Sequence, residues 1–471
     1  MGSTEKPSWL AKAEHKRALQ AAAIDAFLSE HPPVRETSDT LTGARQDAQE
    51  QPIQSITEID DIEELLTRIS TRAVSAADVA VAYIQSLTEV LFDDAVRRAK
   101  ELDEHLAATG KPIGPLHGLP VTLKDQFDVK GYDSTIGYVS KAFRPAAEDA
   151  VVVALLRQMG AIIVAKTNLP QSIMSGRLPY QNVTVSTDGQ EHVPSVIGPL
   201  ARSLSSLRFV TKAVVDAAPW DYDPKVVPLP WRADVEKQIQ SRPLVIGLLV
   251  DDGVVKVQPP VERVVNEAAR KLEAAGHEVI PWDYSGHREC IEIMACDQFY
   301  TADGGEDIRR EVLAGGEPYI PHVDALVNRG QPISVYEYWQ LNKLKHEQQK
   351  RYVDKWNTVR SPSGRKVDVL LTPVMPHPAV PHRGCRWVGY TKIWNFLDYS
   401  AVVLPGGAVD KSLDAKVDYA PRNELDKWNW NLYDPESMDG MPVGVQIVGR
   451  KLEEEKVLGA AKVVEAVLKG Q

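Results

Sequence analysis

The sequence predicts an α/β protein with largely parallel strands flanked by helices, and two stretches carry that prediction. From Val151 to Met159 apolar residues run with one charge among them, Gly160 stops the run, and Ile162-Ile163-Val164-Ala165 reads as a buried strand. A fuller pattern follows: a strand at Leu244 to Val250, a helix at Val261 to Ala275, a stop at Gly276, and a strand at Glu278 to Trp282. In that helix Val264, Ala268, Leu272 and Ala275 share one stripe. A strand, crossover helix and strand in this order set the two strands parallel, with the helix on a sheet face.

The remaining elements fall into place along the chain. Residues 1–57 are polar, with a short Ala-rich helical pattern from Ala18 to Leu28, Pro32-Pro33, and a Thr/Ser/Gln/Asp-rich run to Gln54; they are expected to form an N-terminal arm and linker. Residues 58–471 are expected to form a single α/β domain. Ser75-Ala-Ala-Asp78 opens a helix as a capping box. Leu87 to Phe92 reads as a strand, and Val96, Ala99, Leu102 and Leu106 give a helix that Gly110 ends. Lys366 to Leu371 and Val443 to Val448 are further short strands bounded by Pro or Gly. Trp387 to Trp430 is rich in aromatics, among them Tyr390, Trp394, Phe396, Tyr399 and Trp428, and at this density they are expected in the core rather than lining a pocket.

Composition excludes several functions. The 471 residues carry a net charge of −11, the wrong sign for tracking nucleic-acid phosphates or an anionic membrane surface. With 43% hydrophobic and 25% charged residues, the chain is that of an ordinary globular protein. No apolar run reaches the roughly 20 residues of a spanning helix, and the N-terminus lacks the apolar core of a signal peptide. Cys290, Cys296 and Cys385 frame neither a disulfide scaffold nor a zinc site. The expected location is cytoplasmic.

The chemistry-bearing motifs are few. There is no Gly-x-Gly-x-x-Gly, no Walker Gly-Lys-Ser/Thr and no His-Glu-x-x-His, and the 11 histidines are scattered, so no cofactor and no metal is expected. What remains is Gly114-Pro-Leu-His-Gly-Leu-Pro-Val-Thr-Leu-Lys124-Asp125-Gln126-Phe127: a turn-rich entry, a short strand, and a lysine where the strand ends. Strand ends are where α/β sites gather. A lysine serves as a general base only if burial lowers its pKa from about 10.4 toward neutrality, because only the free amine accepts a proton. From the residues alone, an ordinary surface lysine is the competing reading.

The run from Gly114 through Asp133-Ser-Thr-Ile-Gly137 resembles the catalytic-lysine segment of the amidase signature family, in its fungal acetamidase-like branch. The resemblance continues through Glu148-Asp-Ala-Val-Val-Val, Lys166-Thr-Asn-Leu-Pro-Gln171 and Gly198-Pro-Leu-Ala-Arg-Ser203. It returns at Val367 to Pro373, Trp394 to Asp398 and Met441 to Arg450, and covers most of residues 57 to 468. It implies a large mixed, mostly parallel twisted sheet flanked by helices. It also implies hydrolysis of carbon–nitrogen bonds in small carboxamides, in which a serine attacks the carbonyl, a second serine on a cis peptide bond relays its proton, and Lys124 accepts it.

The sequence departs from that family chiefly at one place. The Gly/Ser-rich stretch that brings both serines and the oxyanion loop is missing, and Met174-Ser175 runs directly into Gly176-Arg-Leu-Pro-Tyr180. A smaller gap sits near Gln85-Ser86. Ser172, Ser175, Ser186, Ser205 and Ser206 stand in no cluster of glycine donors. Lys124 is therefore the sole recognisable catalytic residue, and the chain as written is expected to be inactive. Two other readings stay open: a non-catalytic binding or regulatory protein on the same scaffold, and a mis-spliced transcript of an active amidase. The lost block takes part of the central sheet with it, and Val183-Thr-Val185 or Val193-Pro-Ser-Val-Ile197 are the segments available to patch the exposed edges.

Overall fold

A computed structural model describes residues 7–30, 56, 59–84, 91–167, 177–193, 195–295, 298–328, 330–381 and 384–470. The junction at Ser175-Gly176 and the segment at Gln85-Ser86 lie outside the described residues. Helices and mixed sheets make up the fold, and the described strands fall into two sheets rather than one. Strand β1 (Pro120–Lys124) pairs in parallel only with β2 (Ile162–Thr167). The second sheet runs β4-β3-β5-β7-β6, from β3 (Val245–Leu248), β4 (Glu278–Pro281), β5 (Val369–Pro373), β6 (Ala401–Ala408) and β7 (Pro442–Val448). In it β3 is parallel to β4 and β5, while β7 runs antiparallel to both β5 and β6.

Helices follow the apolar patterns. Helix α1 (Ser8–Glu30) extends well beyond the Ala-rich core of its pattern and lies on the body of the protein, with the Phe27 ring tilted against Phe92 at 4.7 Å between centroids and Lys16 2.8 Å from Asp133. α2 spans Ile62–Ser70 and α3 Ala76–Ile84. Ser75 caps α3 through the amide of Asp78, and the Asp103 carboxylate accepts the amides of Ala76 and Ala77. α4 (Phe92–Thr109) begins at Phe92, the last residue of the expected strand, whose residues 87–90 lie outside the described residues, and Gly110 caps the helix at φ +70°. α5 (Val151–Gln158) precedes β2 as expected. α6 (Leu204–Asp216) opens on Ser203, whose hydroxyl accepts the amide of Ser206. α7 (Pro259–Ala274) crosses from β3 to β4. α8 (Val335–Thr358) and α9 (Gly389–Leu397) pack beside the larger sheet, and α10 (Glu454–Leu468) closes the chain.

Two main cores correspond to the two sheets. One gathers β1, β2 and the helices before residue 217. The other surrounds the five-stranded sheet and takes in Trp387, Tyr390, Trp394, Phe396 and Tyr399, as expected of that aromatic segment. Among the described residues, neither 183–185 nor 193 and 195–197 form a strand to bridge them; Val183 makes one isolated antiparallel bridge with Phe127.

Candidate functional site

The approach to Lys124 is fixed by close backbone contacts. The amide of Leu116 bonds to the carbonyl of Met159 at 2.9 Å and that of Gly118 to Gly160 at 2.8 Å, so the entry loop lies flat against the turn between α5 and β2. Glycine is required on both sides: a Cβ at Gly114 would stand 2.8 Å from the Met159 carbonyl oxygen, and one at Gly160 2.7 Å from the His117 Cα. β1 then ends at Lys124 beside Thr167 of β2.

Beyond the strand end, the family-like motifs tie to one another. Asp125 accepts the Thr135 hydroxyl at 2.9 Å and the Ile136 amide at 2.6 Å. The segment just after the junction joins them: the Thr184 amide bonds to the Gln126 carbonyl at 2.8 Å, and the Thr184 hydroxyl to Asp128 at 3.1 Å. Lys166, only 5% exposed, sits 3.6 Å from the Asp125 carboxylate, donates to the Ser134 hydroxyl at 2.9 Å and also donates to the Asp133 carbonyl. Its ammonium is committed to holding this framework.

Lys124 stands apart from this network. It is half-buried, and among the described residues its ammonium meets no hydrogen-bond or ion-pair partner. Burial in these surroundings pushes its pKa below the ordinary lysine value. It lines a cavity of about 460 Å³ that runs along the unpaired edge of β1, between that strand, α5, α6 and the loop Gly198-Pro-Leu-Ala-Arg202. The described lining contains no serine. Its hydroxyls are those of Thr122, which is exposed, Thr167, which donates to the Leu123 carbonyl at 3.4 Å, and Thr211, which donates to the Leu207 carbonyl at 2.8 Å.

The serines weighed from the sequence go elsewhere or cannot be placed. Ser172 and Ser175 lie outside the described residues. Ser186 lines an adjoining cavity of about 770 Å³ that shares Leu178, Val196 and Ile197 with the first. Ser205 donates to the Asp61 carboxylate at 2.8 Å, and Ser206 donates to the Asp60 carbonyl at 3.1 Å while accepting the Ile62 amide at 2.9 Å. These two pin α6 to α2. Among the described residues, no three His, Cys, Asp or Glu side chains come together as a metal-binding group, and no helix is long and apolar enough to cross a membrane.

Sequence reasoning singled out Lys124, which stands at the end of β1, and did not anticipate the cavity beside it. It also missed Arg177, the first described residue past the junction. Arg177 is buried and bonds Glu454 at 3.1 Å, Glu455 at 3.0 Å and the Leu229 carbonyl at 2.9 Å. Arg232 pairs with Glu455 at 2.6 Å, and Ser400 donates to Glu454 at 2.8 Å, so the re-entering chain is anchored to α10. No spacing in the sequence joins positions so far apart.

Comparison with known proteins gives a consistent picture. The family profile described as Amidase matches residues 68–176 and 175–458, two stretches that meet at the junction. Amidase 1 of Gibberella moniliformis is 48% identical, with 87% of this chain and 93% of that protein aligned. That alignment runs over 485 positions, more than the 471 residues of the chain, so it passes over stretches of the relative that have no counterpart here. The acetamidase of Emericella nidulans is 32% identical over 86% of this chain and 88% of its own. Among solved structures, one titled fatty acid amide hydrolase superposes with a TM-score of 0.85 at 24% identity, covering 98% of this chain and 95% of its own, and so shares the fold.

Proposed function

The chain belongs to the Amidase family, and from that premise we propose that it is an amide-hydrolase scaffold of the cytoplasm that keeps the lysine base at Lys124 and has lost the hydroxyl nucleophile that base would serve. Family membership implies cleavage of carbon–nitrogen bonds in small carboxamides. The observation that carries the proposal is the pairing of a half-buried Lys124, without a partner among the described residues, with a cavity whose described lining holds no serine. Two facts support it: the family profile matches in two pieces that meet at residues 175–176, and the Gly/Ser-rich stretch is absent from the sequence between them.

The chemistry explains why the loss is decisive. A lysine with a lowered pKa can accept a proton, but acyl transfer needs an attacking oxygen within hydrogen-bond reach of that base. It also needs donors aimed at the developing oxyanion, each typically worth about 2.7–4 kcal/mol. Removing a triad nucleophile costs on the order of a million-fold in a serine protease, and here both serines and their donors go together. The cytoplasmic location is supported by Cys290 and Cys385, which stand as free thiols; burial pushes the Cys290 thiol up to about 12, where it is inert.

The test is release of ammonia from acetamide and benzamide by the full chain. The expected rate equals that of Lys124→Ala, and a reproducible Lys124-dependent rate refutes the proposal. Restoring a Gly/Ser-rich segment between Ser175 and Gly176 is expected to create hydrolysis that Lys124→Ala abolishes.

A further inference from the structure

We propose that the Lys124 cavity is a binding site for a monocarboxylic acid with an apolar tail, its carboxylate paired with the Lys124 ammonium and its tail laid along the open edge of β1. The inference rests on the reading that this chain does not hydrolyse amides, and it assigns the vacant lysine a different ligand.

Charge selects the head group. The chain carries a net charge of −11, yet the described lining of this cavity contains no Asp or Glu and two cations, Lys124 and Arg202. Arg202 lies toward solvent, 3.5 Å from Asp60. Lys124 lies deeper, with no partner among the described residues. A half-buried ammonium has lost part of its hydration, and a carboxylate restores it through charge-assisted hydrogen bonds that a neutral amide provides more weakly.

Shape and surface select the tail. The volume of about 460 Å³ falls in the ordinary range for small-molecule sites. Beside Lys124 the walls are apolar: Val121 and Leu123 from β1, Val152 and Leu156 from α5, Val210 and Val214 from α6. Leu123, Val152, Leu156 and Val214 are themselves buried and Val121 and Val210 half-buried, and an alkyl chain of medium length covers the apolar surface still open to the cavity.

Calorimetric titration of the full chain with sodium decanoate, and separately with decanamide as the neutral isostere, tests the proposal. Decanoate is expected to bind at one equivalent, at least ten-fold more tightly than decanamide. Lys124→Met is expected to weaken decanoate by about ten-fold or more while leaving decanamide unchanged, and Val214→Trp, which fills the cavity, to abolish both. Absence of saturable decanoate binding, stoichiometry well above one, or equal decanoate affinity in the wild type and Lys124→Met overturns the proposal. Ammonia released from decanamide would refute the non-hydrolysing reading instead, a separate readout that leaves the decanoate affinities to decide the site.

Discussion

The two sheets of this protein have fared differently. In the larger one every residue of β5 is buried, β3, β5 and β7 each have a neighbour on both sides, and an aromatic core with Tyr352, Trp356, Trp394 and Tyr399 packs alongside. In the smaller one β1 has, among the described residues, a neighbour on one side only, and its other edge opens on a cavity. The sheet that carries Lys124 is the one with an open edge among the described residues. Unpaired edges and orphaned charges are costly in a folded protein, so they are tolerated only where other contacts hold the chain in place.

The contact that does this most directly is Arg177, which fastens the returning chain to α10, and replacing it is expected to have the largest effect. Arg177→Ala leaves Glu454 and Glu455 buried without their shared cation, a change that typically costs about 3–5 kcal/mol. Urea unfolding is expected to show that loss, and Arg177→Ala combined with Glu454→Gln to recover part of it. A cost below about 1 kcal/mol would mean that the two halves are joined chiefly by something else.

How much of this was legible depends on whether a feature is local. The βαβ unit, the helix ending at Gly110 and the strands near residues 162, 369 and 443 announced themselves through apolar periodicity. β6 did not, because Pro405-Gly406-Gly407 reads as a turn; proline is tolerated there since β6 is an edge strand with a register shift at that point. α8 was missed because only Gln348, Tyr352 and Trp356 are buried along its 24 residues, too few to make a stripe. Lys124 could be picked out as a lysine at a strand end. Its lack of a partner, and the commitment of Lys166 to Asp125 and Ser134, are facts of tertiary placement that no spacing encodes.

Acidification probes the better-packed half. Burial lowers the pKa of His287 to about 3 and of His192 and His377 to about 4, from an ordinary 6.5. Below pH 6.5 the unfolded chain binds protons that these folded rings refuse, so stability falls as the pH drops toward 4. Asp252 acts in the opposite direction: burial raises it to about 7, the folded state takes up its proton first, and acidification from pH 7 stabilises. Each proton held by one state alone changes stability by about 1.36 kcal/mol for every pH unit crossed, so three histidines against one carboxyl leave a net loss on the order of 3 kcal/mol between pH 7 and pH 5. Thermal unfolding followed by circular dichroism is expected to show it, with His287→Phe flattening the profile and Asp252→Asn steepening it. A flat profile in the wild type would break the contrast between a tightly closed half and an open one.

The smallest expected effect is the sharpest test of the open half, because it compares two lysines at the ends of paired strands. Lys166→Met removes the cation that the Asp125 carboxylate, the Asp133 carbonyl and the Ser134 hydroxyl share, and leaving such buried acceptors unmet costs about 1–3 kcal/mol. Lys124→Met removes an ammonium that is partly desolvated and has no described partner, while keeping the apolar stem against the cavity wall. No bond is broken and a desolvation penalty disappears, so the folded state is expected to hold its stability within about 0.5 kcal/mol or gain slightly. If Lys124→Met instead destabilised the protein as much as Lys166→Met, Lys124 would be a structural cation like its neighbour. Both the vacant-base reading and the carboxylate site would then lose their footing, since each depends on an amine that the fold does not use.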